Sequence, residues 1–334
     1  MRWEYSMEAH MPIWGNQIPY NTGKSKLKVM YIKKQPKWIS TIHFFMSIAG
    51  TKIPKNTQAY DMYTYISTIQ PGIEKENFDD TPYLIPFPVS GSDRAIIIVP
   101  GGAFTYKSIE AEGRGIAEKL NKAGITAFIL WYRCNPYRKP VPMLDLQRAI
   151  RYVKYHATEY DINPAKVGMM GFSAGGYLVS SHITLTRNNP VSCKGYIPDA
   201  VDSIEDSVAL SGDIYPCVNF KYNVGLLSIL YDDKDLRNQE ILTKILHDTD
   251  LKKHIQPNDA PQFVCWGTKD RAVKPRIIEE YVKELEINKV PHRALALKDA
   301  DHGFGDCNAK KNRKYAYWLD EFIEWSHAIF DEIN

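Results

Sequence analysis

A run of five residues, AIIIV at Ala95–Val99, constrains the fold more than any other part of the chain; Asp93 precedes it and Pro100-Gly101-Gly102 closes it. So short a stretch, apolar and largely β-branched throughout, has no polar face to turn to water. It fits a strand buried on both sides, as in a parallel sheet. Further strands are read at GITAFILWY from Gly124, KVGMMG from Lys166 to Gly171, SVALS near Ser207, QFVCW from Gln262 and RALAL from Arg293. Helical spacing occupies the intervals from Glu110 to Ala123, Met143 to Thr158 and Pro275 to Asn288, and from Ala309 to the C-terminus. Alternation of this kind predicts right-handed βαβ units, hence an α/β chain with a mostly parallel central sheet flanked by helices.

Residues 1–80 do not share the alternation. They are irregular, rich in lysine and aromatics, and punctuated by Pro12, Pro19, Pro36, Pro54 and Pro71. They read as an N-terminal extension packed on a main domain spanning 81–334. A less regular stretch at about 215–256 reads as a small cap insertion over the carboxyl edge of the sheet, where open α/β folds take their ligands. The segment WISTIHFFMSIAG, Trp38 to Gly50, falls well short of the ~20 residues a spanning helix needs and reads as a packed or interfacial helix. The first residues, MRWEYSMEAH, lack the apolar core of a signal peptide. With 42 Lys+Arg against 39 Asp+Glu, the charge is too balanced for a nucleic-acid signature. The five cysteines form no CxxC pair, so free thiols in a cytoplasmic protein are expected; pairing of Cys193 with Cys217 is the alternative.

The chemistry concentrates at GFSAG, Gly171 to Gly175, a G-x-S-x-G pattern after a predicted strand and before a predicted helix from Ala174 to Thr186. That context suits a sharp turn that exposes the Ser173 hydroxyl at a helix N-terminus, where developing negative charge is favoured. A serine hydroxyl is a poor nucleophile without a base to take its proton and a carboxylate to orient the base. Downstream, QFVCW runs into GTKDRAV and RALAL into KDADHGFG, which sets Asp270 and His302 on loops at the same sheet edge. Singly, Asp270 is readable as a turn residue or helix cap, and His302 as an exposed loop histidine. Together and in this order they form a candidate Ser173-Asp270-His302 set. Asp299, Asp301 and Asp306 are rival acids, too near His302 in sequence for the usual geometry. PGGAF after the first strand offers an oxyanion hole from the backbone N–H groups of Gly102 and Ala103, joined by that of Ala174; the alternative is a plain Gly-Gly turn.

These pieces resemble α/β-hydrolases of the esterase/lipase superfamily, and within it the acetyl-xylan-esterase-like carbohydrate esterases. The resemblance is carried by PIWGNQIPY near Pro12, PGGAFTYKSIEAEG at Pro100, AFILWYR at Ala127, VPMLDLQRAIRYV at Val141, GFSAGGYL at Gly171, NDAPQFVCWGTKDRAV at Asn258 and DADHGFG at Asp301. It implies an α/β-hydrolase fold and a serine esterase acting through an acyl-enzyme on small acyl esters, acetyl first, of a carbohydrate or similar alcohol. It implies no metal and no organic cofactor, and a small-molecule or oligosaccharide partner rather than nucleic acid or membrane. Phe104, Tyr106, Tyr177 and Phe304 are candidate substrate contacts, with core or cleft wall as the plain reading. A broad short-chain carboxylesterase or lipase is the alternative activity, followed by a serine peptidase and by a non-catalytic binding protein of the same fold.

Overall fold

The computed structural model describes residues 10–21, 81–134 and 137–333. The Trp38–Gly50 segment and most of the N-terminal extension lie outside them. Among the described residues eight strands form one sheet: β1 (Met11–Pro12), β2 (Tyr83–Phe87), β3 (Ala95–Val99), β4 (Thr126–Trp131), β5 (Val167–Phe172), β6 (Ser211–Ile214), β7 (Gln262–Gly267) and β8 (His292–Leu297). Their order across the sheet is β1-β2-β4-β3-β5-β6-β7-β8. β1 pairs antiparallel with β2 and β2 with β4; every other pairing is parallel.

The helices are α1 (Gly115–Lys122), entered through a π-helical turn at Glu110–Arg114, α2 (Val141–Tyr155), α3 (Ala174–Ser181), α4 (Leu227–Leu230), α5 (Asp233–Arg237), α6 (Gln239–Asp248), α7 (Pro275–Ile287) and α8 (Tyr317–Asp331). The two-residue period of the strands divides the core. Ile97 and Val99 of β3 join Leu146 and Ile150 of α2, Leu178 of α3 and Ile278 of α7 on one face. Ile96 and Ile98 join Ile116 and Leu120 of α1 and Trp318 and Phe322 of α8 on the other. A strand with apolar side chains on both faces needs helices over both. This is an α/β-hydrolase fold.

Two strands differ from the sequence expectation. The strand expected at SVALS lies four residues further on, at Ser211–Ile214, where Asp213 interrupts the apolar pattern. Ser180 and Ser211 donate to its carboxylate at 2.6 and 2.7 Å, so an acid sits inside the sheet. β2, YLIPF, was not foreseen because Pro86 weakens any strand reading. The last helix begins at Tyr317 rather than near Ala309.

The insertion after β6 is not a separate unit in its packing. Phe220, Leu227, Ile229, Leu236 and Leu251 belong to the same core as α2 and α3. Lys139 N–H donates to the Leu230 carbonyl at 3.2 Å, and the Asn223 amide donates to the Ala272 carbonyl at 2.6 Å. The insertion thus touches the loops after β4 and after β7, both at the carboxyl edge. At the other end, residues 10–21 are fixed by Asp145 of α2. It accepts from Trp14 Nε1 at 2.9 Å and binds the Arg133 guanidinium through both oxygens at 2.9 and 2.7 Å. Arg133 donates in turn to the Pro19 carbonyl at 2.7 Å.

Candidate active site

Ser173 joins β5 to α3 with φ 51° and ψ −112°, a conformation that costs a non-glycine residue on the order of 1–3 kcal/mol. Its surroundings impose it. The Ser173 N–H donates to the Ile214 carbonyl at 3.0 Å, and its own carbonyl accepts from Tyr177 at 3.0 Å and Cys217 at 3.2 Å. The hydroxyl stands at the N-terminal end of α3, where the first N–H groups of the helix are unsatisfied.

His302 and Asp270 meet it there. His302 Nε2 lies 2.8 Å from Ser173 Oγ, and Nδ1 lies 2.7 Å from Asp270 Oδ2. The other Asp270 oxygen accepts the N–H groups of Ala272 and Val273, both at 2.8 Å, which turns Oδ2 toward the imidazole. A carboxylate only accepts, so Nδ1 carries the ring proton and Nε2 faces the serine hydroxyl as an acceptor. Burial by itself lowers the basicity of His302. The negative charges of Asp270, Glu112 and Asp301 outweigh that effect and hold its pKa above the ordinary 6.5.

The rival acids are engaged elsewhere. Asp301 pairs with Arg271 and accepts the His302 backbone N–H at 2.8 Å, so it shapes the loop rather than orienting the ring. Asp299 pairs with Lys269 at 2.6 Å, and Asp306 accepts the Asn308 N–H at 3.0 Å. Cys193 and Cys217 are both free thiols, so the pairing considered from the sequence is not made.

The loop after β3 bends sharply. Gly102, Ala103 and Phe104 have φ of 136°, 52° and 58°, and the Thr105 N–H and hydroxyl both close onto the Gly102 carbonyl at 2.9 Å. Among the described residues the N–H groups of Gly102, Ala103 and Ala174 have no hydrogen-bond acceptor.

Of the expected aromatic contacts, Phe104 and Tyr177 need correction. Phe104 and Tyr177 are 1% exposed and meet edge-on in the core with ring centroids 6.0 Å apart. Phe304, 2% exposed, packs edge-on against Tyr215 at 4.6 Å. Phe104 and Tyr177, covered in this way, back the site rather than face solvent, whereas Phe304 also lines a cavity and Tyr106 keeps partial exposure. A cavity of about 440 Å³ does open beside Gly303, with Glu110, Arg114, Glu118, Asp306, Asn308 and Asn312 on its wall. Glu112 and Tyr215, which join the loop after β3 to the His302 loop, were missed from the sequence. The available signal was an acid on the buried side of a helical stretch, between Ile109 and Ile116. Among the described residues no cluster of His, Cys, Asp and Glu has metal-binding geometry, and no helix is long and apolar enough to cross a membrane.

Known proteins agree with this architecture. The chain is 40% identical over 220 residues to an acetylxylan esterase of Xylanibacter ruminicola, a match covering 65% of this chain and 42% of that protein. It is 23% identical over 239 residues to esterase LipC of Mycobacterium tuberculosis, covering 70% and 58%. The chain therefore spans about half the length of these curated relatives. Among solved structures it superposes on an acetyl ester-xyloside bifunctional hydrolase from Caldicellulosiruptor lactoaceticus with a TM-score of 0.66 and 23% identity, over 96% of each chain. The BD-FAE family matches residues 85–285, which takes in Ser173 and Asp270 and stops short of His302. With that match extending over more than half its length, the chain belongs to the BD-FAE family.

Proposed function

We propose that the protein is a serine esterase that removes small acyl groups, acetyl first, from a carbohydrate or similar alcohol. The observation that carries this reading is the continuous hydrogen-bonded line from Ser173 Oγ through His302 to Asp270, at 2.8 and 2.7 Å. In the proposed reaction His302 Nε2 takes the Ser173 proton as Oγ forms a bond to the ester carbonyl carbon. The carbonyl oxygen, now negative, is received by the N–H groups of Gly102, Ala103 and Ala174. His302 returns the proton to the alkoxide as the carbon–oxygen bond breaks, so the alcohol leaves and an acyl-serine remains. Water then donates a proton to His302 and attacks the acyl carbon, which releases the acid and restores the serine. Asp270 keeps the proton on Nδ1 and balances the imidazolium charge in both halves.

The preference for acetylated sugar is supported by the 40% identity to an acetylxylan esterase. The insertion at about 215–256 acts as a cap on a catalytic domain of residues 81–334, in keeping with its contacts to two carboxyl-edge loops. The free cysteines favour a reducing, cytoplasmic setting. Ser173→Ala is expected to abolish hydrolysis of p-nitrophenyl acetate with the thermal midpoint preserved; retained hydrolysis rules the reading out. A series of p-nitrophenyl esters of rising acyl length, run beside acetylated xylo-oligosaccharides, tests the substrate. A preference for longer chains replaces the sugar-acetyl reading with a broad carboxylesterase.

A further inference from the structure

Glu112 is a buried carboxylate with no Lys or Arg partner among the described residues. Both of its hydrogen bonds come from neutral donors. Oε2 accepts the Gly101 N–H at 2.8 Å, and Oε1 accepts the Tyr215 hydroxyl at 2.8 Å. Two oxygens that both accept hydrogen bonds suit an ionised carboxylate. Burial holds its pKa above the ordinary carboxylate value, and the bonds from Tyr215 and Gly101 and the positive form of His302 oppose that rise only in part.

Its neighbours matter more than its burial. Gly101 immediately precedes the oxyanion donors, and the backbone there is so close to the nucleophile that a Cβ would lie 3.0 Å from Ser173 Cβ and 2.9 Å from Glu112 Oε2. The Tyr215 ring lies 4.8 Å, centroid to centroid, from the His302 imidazole. The Tyr215 hydroxyl also accepts the Gly305 N–H at 3.2 Å, on the loop that carries His302. One carboxylate therefore ties together the oxyanion loop, the residue after β6 and the histidine loop.

We propose that Glu112 is a positioning residue for the reaction above. It holds the oxyanion loop through Gly101 and the imidazole through Tyr215, and it adds a second negative charge to that of Asp270 where the imidazolium forms. The assignment rests on the Ser173-His302-Asp270 reading. The groups facing His302 are Asp270 after β7, Glu112 from the π-helical turn, Tyr215 after β6, Asp301 on its own loop, paired with Arg271, and the Ser173 hydroxyl.

The experiment compares Glu112→Gln, Glu112→Asp and Tyr215→Phe with the unaltered full chain in thermal unfolding and in p-nitrophenyl acetate hydrolysis across pH. Glu112→Gln is expected to lower kcat by roughly 10–100-fold, less than the loss of an oxyanion donor itself, with KM nearly unchanged. Its acid limb in kcat/KM moves to lower pH, because removing a negative charge beside His302 lowers the imidazole pKa. Glu112→Asp keeps the charge and shortens the reach, so kcat falls while the limb stays in place. Tyr215→Phe lowers kcat with KM held. A folded Glu112→Gln with unaltered kcat and an unmoved limb overturns the proposal, as does a lowered kcat with the limb unmoved. If Glu112→Gln does not fold, the other two variants decide: unaltered turnover in both overturns it, and lowered turnover in both upholds it. An inactive Ser173→Ala beside a fully active Glu112→Gln removes the role of Glu112 and leaves the esterase reading standing. An active Ser173→Ala removes the esterase reading itself.

Discussion

Gly102, Ala103 and Phe104 hold three positive φ values in succession, and the first of them is possible only for glycine. A Cβ at Gly102 would lie 2.2 Å from the Tyr106 carbonyl oxygen, which is backbone that cannot swing aside. The next two residues bear left-handed strain of about 1–2 kcal/mol each, offset in part by burial of the Phe104 ring. Gly102→Ala is therefore expected to displace the loop from Ser173 and to reduce kcat on p-nitrophenyl acetate by about 10²-fold or more. Full activity in that variant would mean that the oxyanion is held elsewhere. At Asp270 the argument concerns a single proton. An asparagine amide donates, so His302 Nδ1 would have to accept and Nε2 would present a proton to Ser173 instead of taking one. Asp270→Asn should cost about three to four orders of magnitude in turnover, whereas Asp301→Asn should stay within a few-fold, since Asp301 bonds the loop backbone and Arg271. If Asp301→Asn proves the more damaging of the two, the acid has been misassigned.

Uninterrupted apolar runs were legible in the sequence as strands, and strands interrupted by an acid or a proline were not. β3, β4, β5 and β7 are buried along their whole length, so hydrophobic runs announce them, and the loops they feed carry Ser173, Asp270 and the turn at Gly102. β6 was displaced because one of its four residues is an acid whose partners, Ser180 and Ser211, become visible only in three dimensions. Glu112 escaped notice for the same reason, since its donors are Gly101 and a tyrosine 103 positions away. Stretches that marked the family without any chemistry also acquire a physical meaning. Trp14 of PIWGNQIPY, Arg133 of AFILWYR and Asp145 of VPMLDLQRAIRYV form one buried network that fastens the N-terminal segment to α2 and to the end of β4. Both charged side chains are 0% exposed. Breaking such a pair from one side leaves an uncompensated buried charge, which costs about 3–5 kcal/mol. Asp145→Ala should lower the thermal midpoint by roughly 10 °C and leave turnover per folded molecule close to that of the unaltered protein. A midpoint within a degree or two of the unaltered protein would show that Arg133 finds another acceptor.

Across the whole molecule, the carboxyl edge holds Ser173, His302 and the insertion after β6, and a buried acid, Asp213, lies in the sheet beneath that edge. Asp213 sits in the sheet below the helix that begins at Ser173, bonded to Ser180 of that helix and Ser211 of its own strand. Burial raises its pKa from 3.8 to about 6, and the two hydroxyl bonds only partly oppose the rise. An acid with a raised folded pKa binds its proton more tightly folded than unfolded. Its contribution to stability is therefore complete below the unfolded value and is lost as pH climbs through the folded one. For a shift of this size the loss between pH 5 and pH 8 is on the order of 1–2 kcal/mol. Asp213→Asn removes the titration and keeps groups able to bond both serines, once one hydroxyl rotates to accept from the amide. Urea unfolding at the two pH values should then show the variant gaining on the unaltered protein at pH 8 relative to pH 5 by that same 1–2 kcal/mol. Equal pH slopes for the two proteins would mean that Asp213 titrates alike folded and unfolded, and that the acid inside the sheet is better solvated than its two serines allow.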